Sequence, residues 1–186
     1  MIRIGISGWN YADWRGGFYP KGLRQVDELA FITHTFPSIE LNGPFYRLQQ
    51  ANSYAKWYAA TPADFVFAHK SYREITHFKR LKEIDLAMAN MFASGMFRLR
   101  EKLGPLLWQL PPSLRFDAVL LENFLARLPR DTASALAIAK RHEDFMAERC
   151  CLEIDVNRPL RHCMEVRNAS FIDSNFSNYS VATTSH

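Results

Sequence analysis

The stretch "GISGWNYADWRGG" at residues 5–17 follows the first predicted strand and decides between two folds. A dinucleotide-binding βα unit carries the spacing G-x-G-x-x-G at this position, because its glycines let the backbone approach a pyrophosphate. Here the glycines stand at residues 5, 8, 16 and 17, so that spacing is absent. The stretch therefore favours a (β/α)8 barrel over an open doubly wound sheet.

Apolar segments that predict strands alternate with helical patterns along the chain. The predicted strands cover residues 3–7, 38–42, 64–70, 105–110 and 162–167. Helical spacing predicts helices within residues 25–36, 51–60, 84–104 with a stop at Gly104, 120–128 and 132–148. This alternation indicates a parallel sheet with right-handed crossovers. A complete barrel typically has about 250 residues, so we expect an incomplete TIM-barrel-like (β/α)8 fold of five to six βα units whose C-terminal strands are missing.

The composition is that of one globular domain. Of the 186 residues, 48% are hydrophobic and 23% are charged, which suffices for a sizeable core. The formal net charge of +4 leans towards phosphate-bearing or nucleic-acid partners. Apolar runs stay below the roughly 18 residues that a membrane span needs, so no membrane partner is expected. The three cysteines form neither a C-x-x-C pair nor an even disulfide set, which is typical of a reducing, cytoplasmic setting.

Polar residues occur at the C-terminal ends of four predicted strands. They are Glu40 and Asn42 on the second strand, Lys70 on the third, Gln109 on the fourth, and Glu165 and Arg167 on the fifth. Alternate residues of a strand share a face, and βα barrels build their active sites at the C-terminal strand ends. Solvent exposure at strand ends would be enough to explain polar residues at the end of one strand. Four strands, with two carboxylates, two cations and two amides, predict a functional cleft.

The loop "KSYREITHFKRLK" at residues 70–82 mixes basic and aromatic side chains. Such a mixture can hold phosphates and stack on bases. Arg73 and His77 are the candidates here, whereas Lys79, Arg80 and Lys82 fit the solvated start of a helix almost as well.

Two further loops supply aromatic candidates. Trp9, Tyr11 and Trp14 follow the first strand and line a ligand pocket or plug the barrel mouth. Tyr46 follows the second strand and should reach the rim. The sequence has no H-E-x-x-H, G-x-S-x-G or P-loop motif. His69 should point away from Lys70 and pack against a helix rather than bind a metal.

Five stretches match one known family in order. They are "GISGWNYADWRGGFYP", "IELNGPFYRL", "WYAATPADFVFAHKSYREITH", "KLGPLLWQLPPSLRFD" and "RHCMEVRNASF". Together, over about residues 2–172, they resemble the YecE-like family, also called domain of unknown function 72. The resemblance implies a TIM-barrel-like fold with a cleft at the strand C-termini and no established reaction. The family pattern falls on Gly8, Trp9, Tyr11, Trp14, Glu40, Asn42, Phe45, Tyr46, Lys70, Thr76, His77, Gln109, Pro111, Pro112, Glu165 and Arg167.

The chain departs from that pattern in three places. Asn168 stands where the family usually has His, and Gly43 and Pro44 replace a small polar pair. The third departure follows Phe171, so we expect residues 1–172 to be the N-terminal part of one domain and residues 173–186 a divergent, truncated tail. An incomplete barrel exposes strand edges and its inner face, which predicts poor stability or association.

Three functions are compatible with these residues. The first is an enzyme, of a hydrolase or lyase type, acting on a phosphate-bearing or nucleic-acid substrate. In it Glu40 and Glu165 act as acid and base or as metal ligands, Lys70 and Arg167 hold the anion, and Asn42 and Gln109 orient it. A divalent metal is compatible with this set but not required. The second is a non-catalytic nucleic-acid binder, and the third is a structural ion-pair network in an inactive product.

Overall fold

A computed structural model describes residues 2–172, and the tail predicted at residues 173–186 lies outside this part. Within it, five parallel strands form one sheet in which each strand pairs with the next along the chain. The strands are β1 (Ile6–Ser7), β2 (Ser38–Leu41), β3 (Val66–Lys70), β4 (Leu103–Gln109) and β5 (His162–Glu165). The fold is therefore α/β, and the strand order has no reversal of the kind that defines a doubly wound sheet among these strands.

Helices connect the strands. They are α1 (Glu28–Ile32), α2 (Gly43–Tyr46), α3 (Ala51–Ala59), α4 (Asp85–Ala93), α5 (Ala118–Ala126) and α6 (Thr132–Ala139). Shorter 3-10 segments lie at Ala12–Trp14, Gln25–Asp27, Met96–Lys102, Asp144–Met146 and Ala169–Phe171, and a π-helical turn lies at Glu74–Phe78. In the described part of the chain, every helix is too short or too polar to cross a membrane.

The two faces of the sheet differ in burial. Alternate residues such as Ile39, Phe67 and Trp108 are buried on the face that packs against the helices. Trp108 meets Phe124 of α5 edge to face, with ring centroids 5.1 Å apart. The opposite face is only partly buried along β2, β3 and β5. This second face carries the polar residues of the strand ends.

His69 lies on the helix-facing side of β3, as its alternation with Lys70 predicts. It is fully buried, and its Nε2 lies 2.9 Å from the hydroxyl of Tyr54 on α3. Burial lowers the pKa of His69 to about 4, so the ring is neutral near pH 7. This histidine therefore belongs to the core.

The helix predicted over residues 84–104 ends earlier than expected, and Gly104 is not its stop. α4 ends at Ala93, and Gly95 follows with a left-handed φ of 96°. Gly104 lies inside β4, where an added Cβ would stand 2.5 Å from Val66 Cγ1 and 2.9 Å from the carbonyl oxygen of Phe67. The glycine is thus needed for close contact between β3 and β4.

Other predicted bounds are also too long. The helix predicted over residues 132–148 ends at Ala139, and residues 144–146 form a separate 3-10 turn. The first strand contains residues 6–7 rather than 3–7, because Ile4 and its neighbours make no ladder contact in the described part. The second strand ends at Leu41 and the fifth at Glu165, so Asn42 and Arg167 lie just beyond their strands.

Lys102 joins α3 to the segment before β4. It is buried, and its Nζ donates hydrogen bonds to the carbonyl oxygens of Tyr58 and Thr61, both at 2.7 Å. The ammonium also lies 4.2 Å from the centre of the Tyr58 ring. Because the last carbonyls of a helix lack partners within it, Lys102 stabilises the C-terminal end of α3.

Candidate functional site

Polar residues of β1, β2 and β3 meet at the C-terminal edge of the sheet. Ser7 is the register partner of Glu40, and its hydroxyl donates to Glu40 Oε1 at 3.2 Å. Asn42 Nδ2 donates to Ser7 Oγ at 2.7 Å, and the Tyr11 hydroxyl donates to the Ser7 carbonyl. Lys70 Nζ lies 3.8 Å from Glu40 Oε1. Ser7 and Lys70 thus both contact the same oxygen of the Glu40 carboxylate.

A second group forms where β4 and β5 end. Gln109 Nε2 donates to Glu165 Oε2 at 2.7 Å, and Arg167 Nε donates to Glu165 Oε1 at 2.6 Å. Burial alone would raise the pKa of Glu165. The hydrogen bonds from Gln109 and Arg167, together with the positive charges of Arg167 and Lys70, outweigh it and hold this pKa below its usual range. Glu165 is therefore ionised at neutral pH.

Lys70 lies between the two groups, and its side chain is only 13% exposed. It contacts Glu40, its charge acts on Glu165, and its ammonium lies 4.9 Å from the centre of the Phe45 ring. β2 and β5 are three strand spacings apart, roughly 14 Å along a sheet. Glu40 and Glu165 thus occupy opposite corners with the lysine between them. We call Ser7, Glu40, Asn42, Lys70, Gln109, Glu165 and Arg167 the strand-end cluster.

His77 approaches the strand-end cluster from the π-helical turn Glu74–Phe78, a rare geometry that is frequent at functional sites. Its ring meets Phe45 edge to face at 5.0 Å. Burial lowers the pKa of His77, and the charges of Lys70, Arg167 and Arg73 lower it further. Three cations from different segments therefore act on one neutral imidazole.

An aromatic pair flanks Arg73 at the rim. The Arg73 guanidinium lies 5.6 Å from the centre of the Tyr46 ring and 5.1 Å from that of Phe78. Tyr46 is 60% exposed and Phe78 is 62% exposed. Tyr46 reaches this position because α2 begins directly after β2, with Pro44 in its first turn, where no backbone N–H is required. We call Tyr46, Arg73 and Phe78 the aromatic platform.

The loop after β1 divides between site and core. Tyr11 reaches Ser7 and is partly exposed. Trp9 instead packs edge to face against Trp57 of α3 at 5.6 Å, and Trp14 packs against Tyr11 at 4.7 Å and against the core. The candidate residues Trp9 and Trp14 therefore pack on aromatic rings and the core, and of the three loop candidates Tyr11 is the one that reaches Ser7.

Sequence reasoning did not select Ser7, which links Glu40, Asn42 and Tyr11. The signal was present, because Ser7 is the last residue of β1 and lies directly opposite Glu40. Phe45, which contacts both Lys70 and His77, came only from the family resemblance. Within residues 2–172, no three His, Cys, Asp or Glu side chains gather closely enough to hold a metal ion.

Comparison with known proteins places these residues in a family context. The family model described as "Protein of unknown function DUF72" matches residues 3–184. The UPF0759 protein YunF of Bacillus subtilis (strain 168) is 33% identical over 117 residues, which are 60% of this chain and 40% of that protein. The chain therefore spans less than half the length of this relative.

Two solved structures share the fold. A DUF72 family protein from Thermotoga maritima MSB8 is 23% identical, with a TM-score of 0.66 over 96% of this chain and 60% of that one. A DUF72 family protein from Enterococcus faecalis V583 is 18% identical, with a TM-score of 0.65 over 97% of this chain and 56% of that one. At these identities the likeness concerns the α/β fold alone.

Proposed function

This chain belongs to the DUF72 family of unknown function, and we propose that its strand-end cluster binds a phosphate group and carries out acid–base chemistry on a phosphate-bearing substrate. The observation that carries the proposal is the convergence of three cations: Lys70 and Arg167 lie in the strand-end cluster, and Arg73 lies in the aromatic platform at its rim. Burial lowers the pKa of His77 most, and the charges of these three residues lower it further. Glu40 and Glu165 balance two of the three cations, so these groups together keep one net positive charge. Such an excess of positive charge favours a bound anion.

Roles follow from the contacts of each residue. Lys70 and Arg167 hold the phosphate oxygens. Glu165, ionised and hydrogen-bonded, accepts a proton, and Gln109 fixes its orientation. Glu40, which contacts Ser7 and Lys70 at the opposite corner, is the second carboxylate of the acid–base pair. His77 gains a proton when the anion neutralises its surroundings, because the charges that lower its pKa are then balanced. A divalent metal is not needed for these steps.

The same proposal includes a TIM-barrel-like arrangement for the sheet. The five strands are parallel and follow one another in sequential order. Crossovers between parallel strands are almost always right-handed, and in this order right-handed crossovers place all helices on one face of the sheet. The other face, which carries Glu40 and Lys70, is only partly buried along β2 and β3. In a closed barrel this face lies inside, and the strand-end cluster lies at the mouth. A cytoplasmic setting remains part of the proposal on the basis of the cysteines.

Binding of inorganic phosphate tests the function directly. Lys70→Gln and Arg167→Gln should each weaken it at least about tenfold, because each removes a charge-assisted contact. Arg141→Gln removes an exposed arginine elsewhere and is the matched control. Equal binding by all variants would reject the site.

Turnover of chromogenic phosphate mono- and diesters tests the acid–base step separately. Glu165→Gln should lose turnover while keeping phosphate binding, whereas Glu148→Gln, an exposed control, should change neither. Retained turnover in both Glu40→Gln and Glu165→Gln would exclude the acid–base role.

The alternative function, nucleic-acid binding without catalysis, is favoured by the aromatic platform. It predicts binding that depends steeply on salt, without turnover. If the cluster is a purely structural network, the wild type should not bind phosphate, and these substitutions should unfold the chain.

A further inference from the structure

A basic groove lies beside the strand-end cluster, between the loops that follow β3 and β4. Its volume is about 510 Å3, and Lys79, Arg80, Lys82 and Arg115 contribute cations to its wall. Asp117 is the acid among the described lining residues, and its Oδ1 is engaged by the backbone N–H of Leu120 at the start of α5. The groove therefore presents an excess of positive charge from side chains.

The segment 79–83, which supplies Lys79, Arg80 and Lys82 to the wall and ends at Glu83 next to it, is held in an unusual conformation. Arg80, Leu81 and Glu83 have φ values of 50°, 67° and 50°, a left-handed region that non-glycine residues rarely adopt. Leu81 is buried, and its N–H donates to the carbonyl of Ile75 at 3.0 Å. Arg80 donates to both the hydroxyl and the carbonyl oxygen of Ser113, each at 2.9 Å. Strained backbone that persists between two such anchors is a recurrent feature of binding sites.

The groove, the aromatic platform and the strand-end cluster are continuous along the chain. Phe78 of the platform lies between His77 and Lys79. On the other side, Asn168 follows Arg167, and its Nδ2 donates to the carbonyl of Pro112 at 2.6 Å, next to the groove wall. These two links, at Phe78 and at Asn168, connect the groove to the platform and to the strand-end cluster, and only a ligand longer than a single phosphate group could contact all three.

We propose that this groove binds the phosphodiester backbone of a single-stranded nucleic acid, whose bases stack on Tyr46 and Phe78 while one phosphate enters the strand-end cluster. A monophosphate would leave the groove empty. A duplex keeps its base faces stacked and would leave the platform unused, whereas exposed aromatic rings beside arginine stack well on unpaired bases. The inference rests on the proposed function and names its substrate class.

Fluorescence anisotropy with a labelled 12-nucleotide oligothymidylate tests the inference. The double variant Lys79→Gln/Lys82→Gln should bind at least about fivefold more weakly, and the negative slope of log affinity against log salt should become less steep by about 1.4. Phe78→Leu should weaken binding at least about fivefold through lost stacking. Matched controls are Lys21→Gln/Lys140→Gln, two exposed lysines elsewhere, and Phe145→Leu, whose exposed ring also lies beside an arginine, 5.3 Å from Arg149. The controls should bind like the wild type.

Equal affinity of the groove, platform and control variants would overturn the inference, as would a 12-base-pair duplex that binds at least as tightly with no effect of Phe78→Leu. The response of His77 to inorganic phosphate is measured on the same samples and reports on the proposed function alone. A phosphate response without groove-dependent oligonucleotide binding leaves the phosphate site intact and rejects the single strand. Circular dichroism of each variant confirms that the fold is retained.

Discussion

Gln109 and Glu165 are register partners on adjacent parallel strands, and the Gln109 amide donates to the Glu165 carboxylate at 2.7 Å. The pairing of β4 with β5 sets this contact, and Arg167 supplies the second oxygen with its donor. The backbone register therefore controls the ionisation of a candidate catalytic group.

Gln109→Leu should raise the pKa of Glu165. Leucine has no N–H donor, so one of the hydrogen bonds that offset the burial of the carboxylate is lost. Carbon-detected NMR titration of the glutamate carboxyls measures this change. Gln50→Leu, an exposed glutamine elsewhere, is the control. An unchanged titration of Glu165 in Gln109→Leu would contradict the role given to the amide.

Gly104→Ala should destabilise the chain by about 2 kcal/mol or more, because the added methyl meets the backbone of β3. Urea unfolding measures the loss. Gly17→Ala is the matched control, since its Cβ would meet nothing nearer than 4.0 Å. If both alanines gave the same midpoint, β3 and β4 would not approach as closely as described.

Stability should fall on acidification because of His69. Its folded pKa of about 4 lies below the unfolded value of about 6.5. The unfolded chain therefore binds more protons between these values, and stability present above pH 6.5 is lost as the pH falls towards 4. Between pH 7 and pH 5 this loss amounts to about 2 kcal/mol. His69→Gln keeps a polar group opposite Tyr54 but does not titrate, so its unfolding should depend less on pH; an unaltered dependence would exclude His69 as the source.

Lys102→Met should destabilise the chain by about 2 kcal/mol, because the half-buried carbonyls of Tyr58 and Thr61 lose their charged donor. Thermal and urea unfolding both report this loss. Lys56→Met removes an exposed lysine from α3 and should change stability little. A comparable loss in both variants would mean that the Lys102 hydrogen bonds add nothing beyond the general effect of removing a lysine charge.

The parts of the fold that depend on local periodicity could be predicted from the sequence. Alternation along the strands placed Glu40, Lys70, Gln109 and Glu165 on one face, and the structure brings them to one edge. The same rule would have found Ser7 if the short first strand had been treated like the others.

Features that depend on tertiary contact could not be predicted in this way. From the sequence, either Gly95 or Gly104 could end the helix. The structure shows that Gly95 lies against Ala51 just after α4, whereas Gly104 lies against Val66 inside the sheet. The left-handed backbone around Leu81 lacks the glycine or asparagine that usually marks it, so the shape of the groove could not be predicted, although its cations Lys79, Arg80 and Lys82 stand in the basic loop.

The most direct test of the central claim is the titration of His77 by NMR in inorganic phosphate and in chloride of equal ionic strength. Phosphate held by Lys70 and Arg167 should raise the pKa of His77, because it balances the cations that lower it. The rise should disappear in Lys70→Gln, and the resonance of exposed His34 serves as the reference for general salt effects. A His77 titration that is identical in phosphate and chloride would contradict the phosphate site.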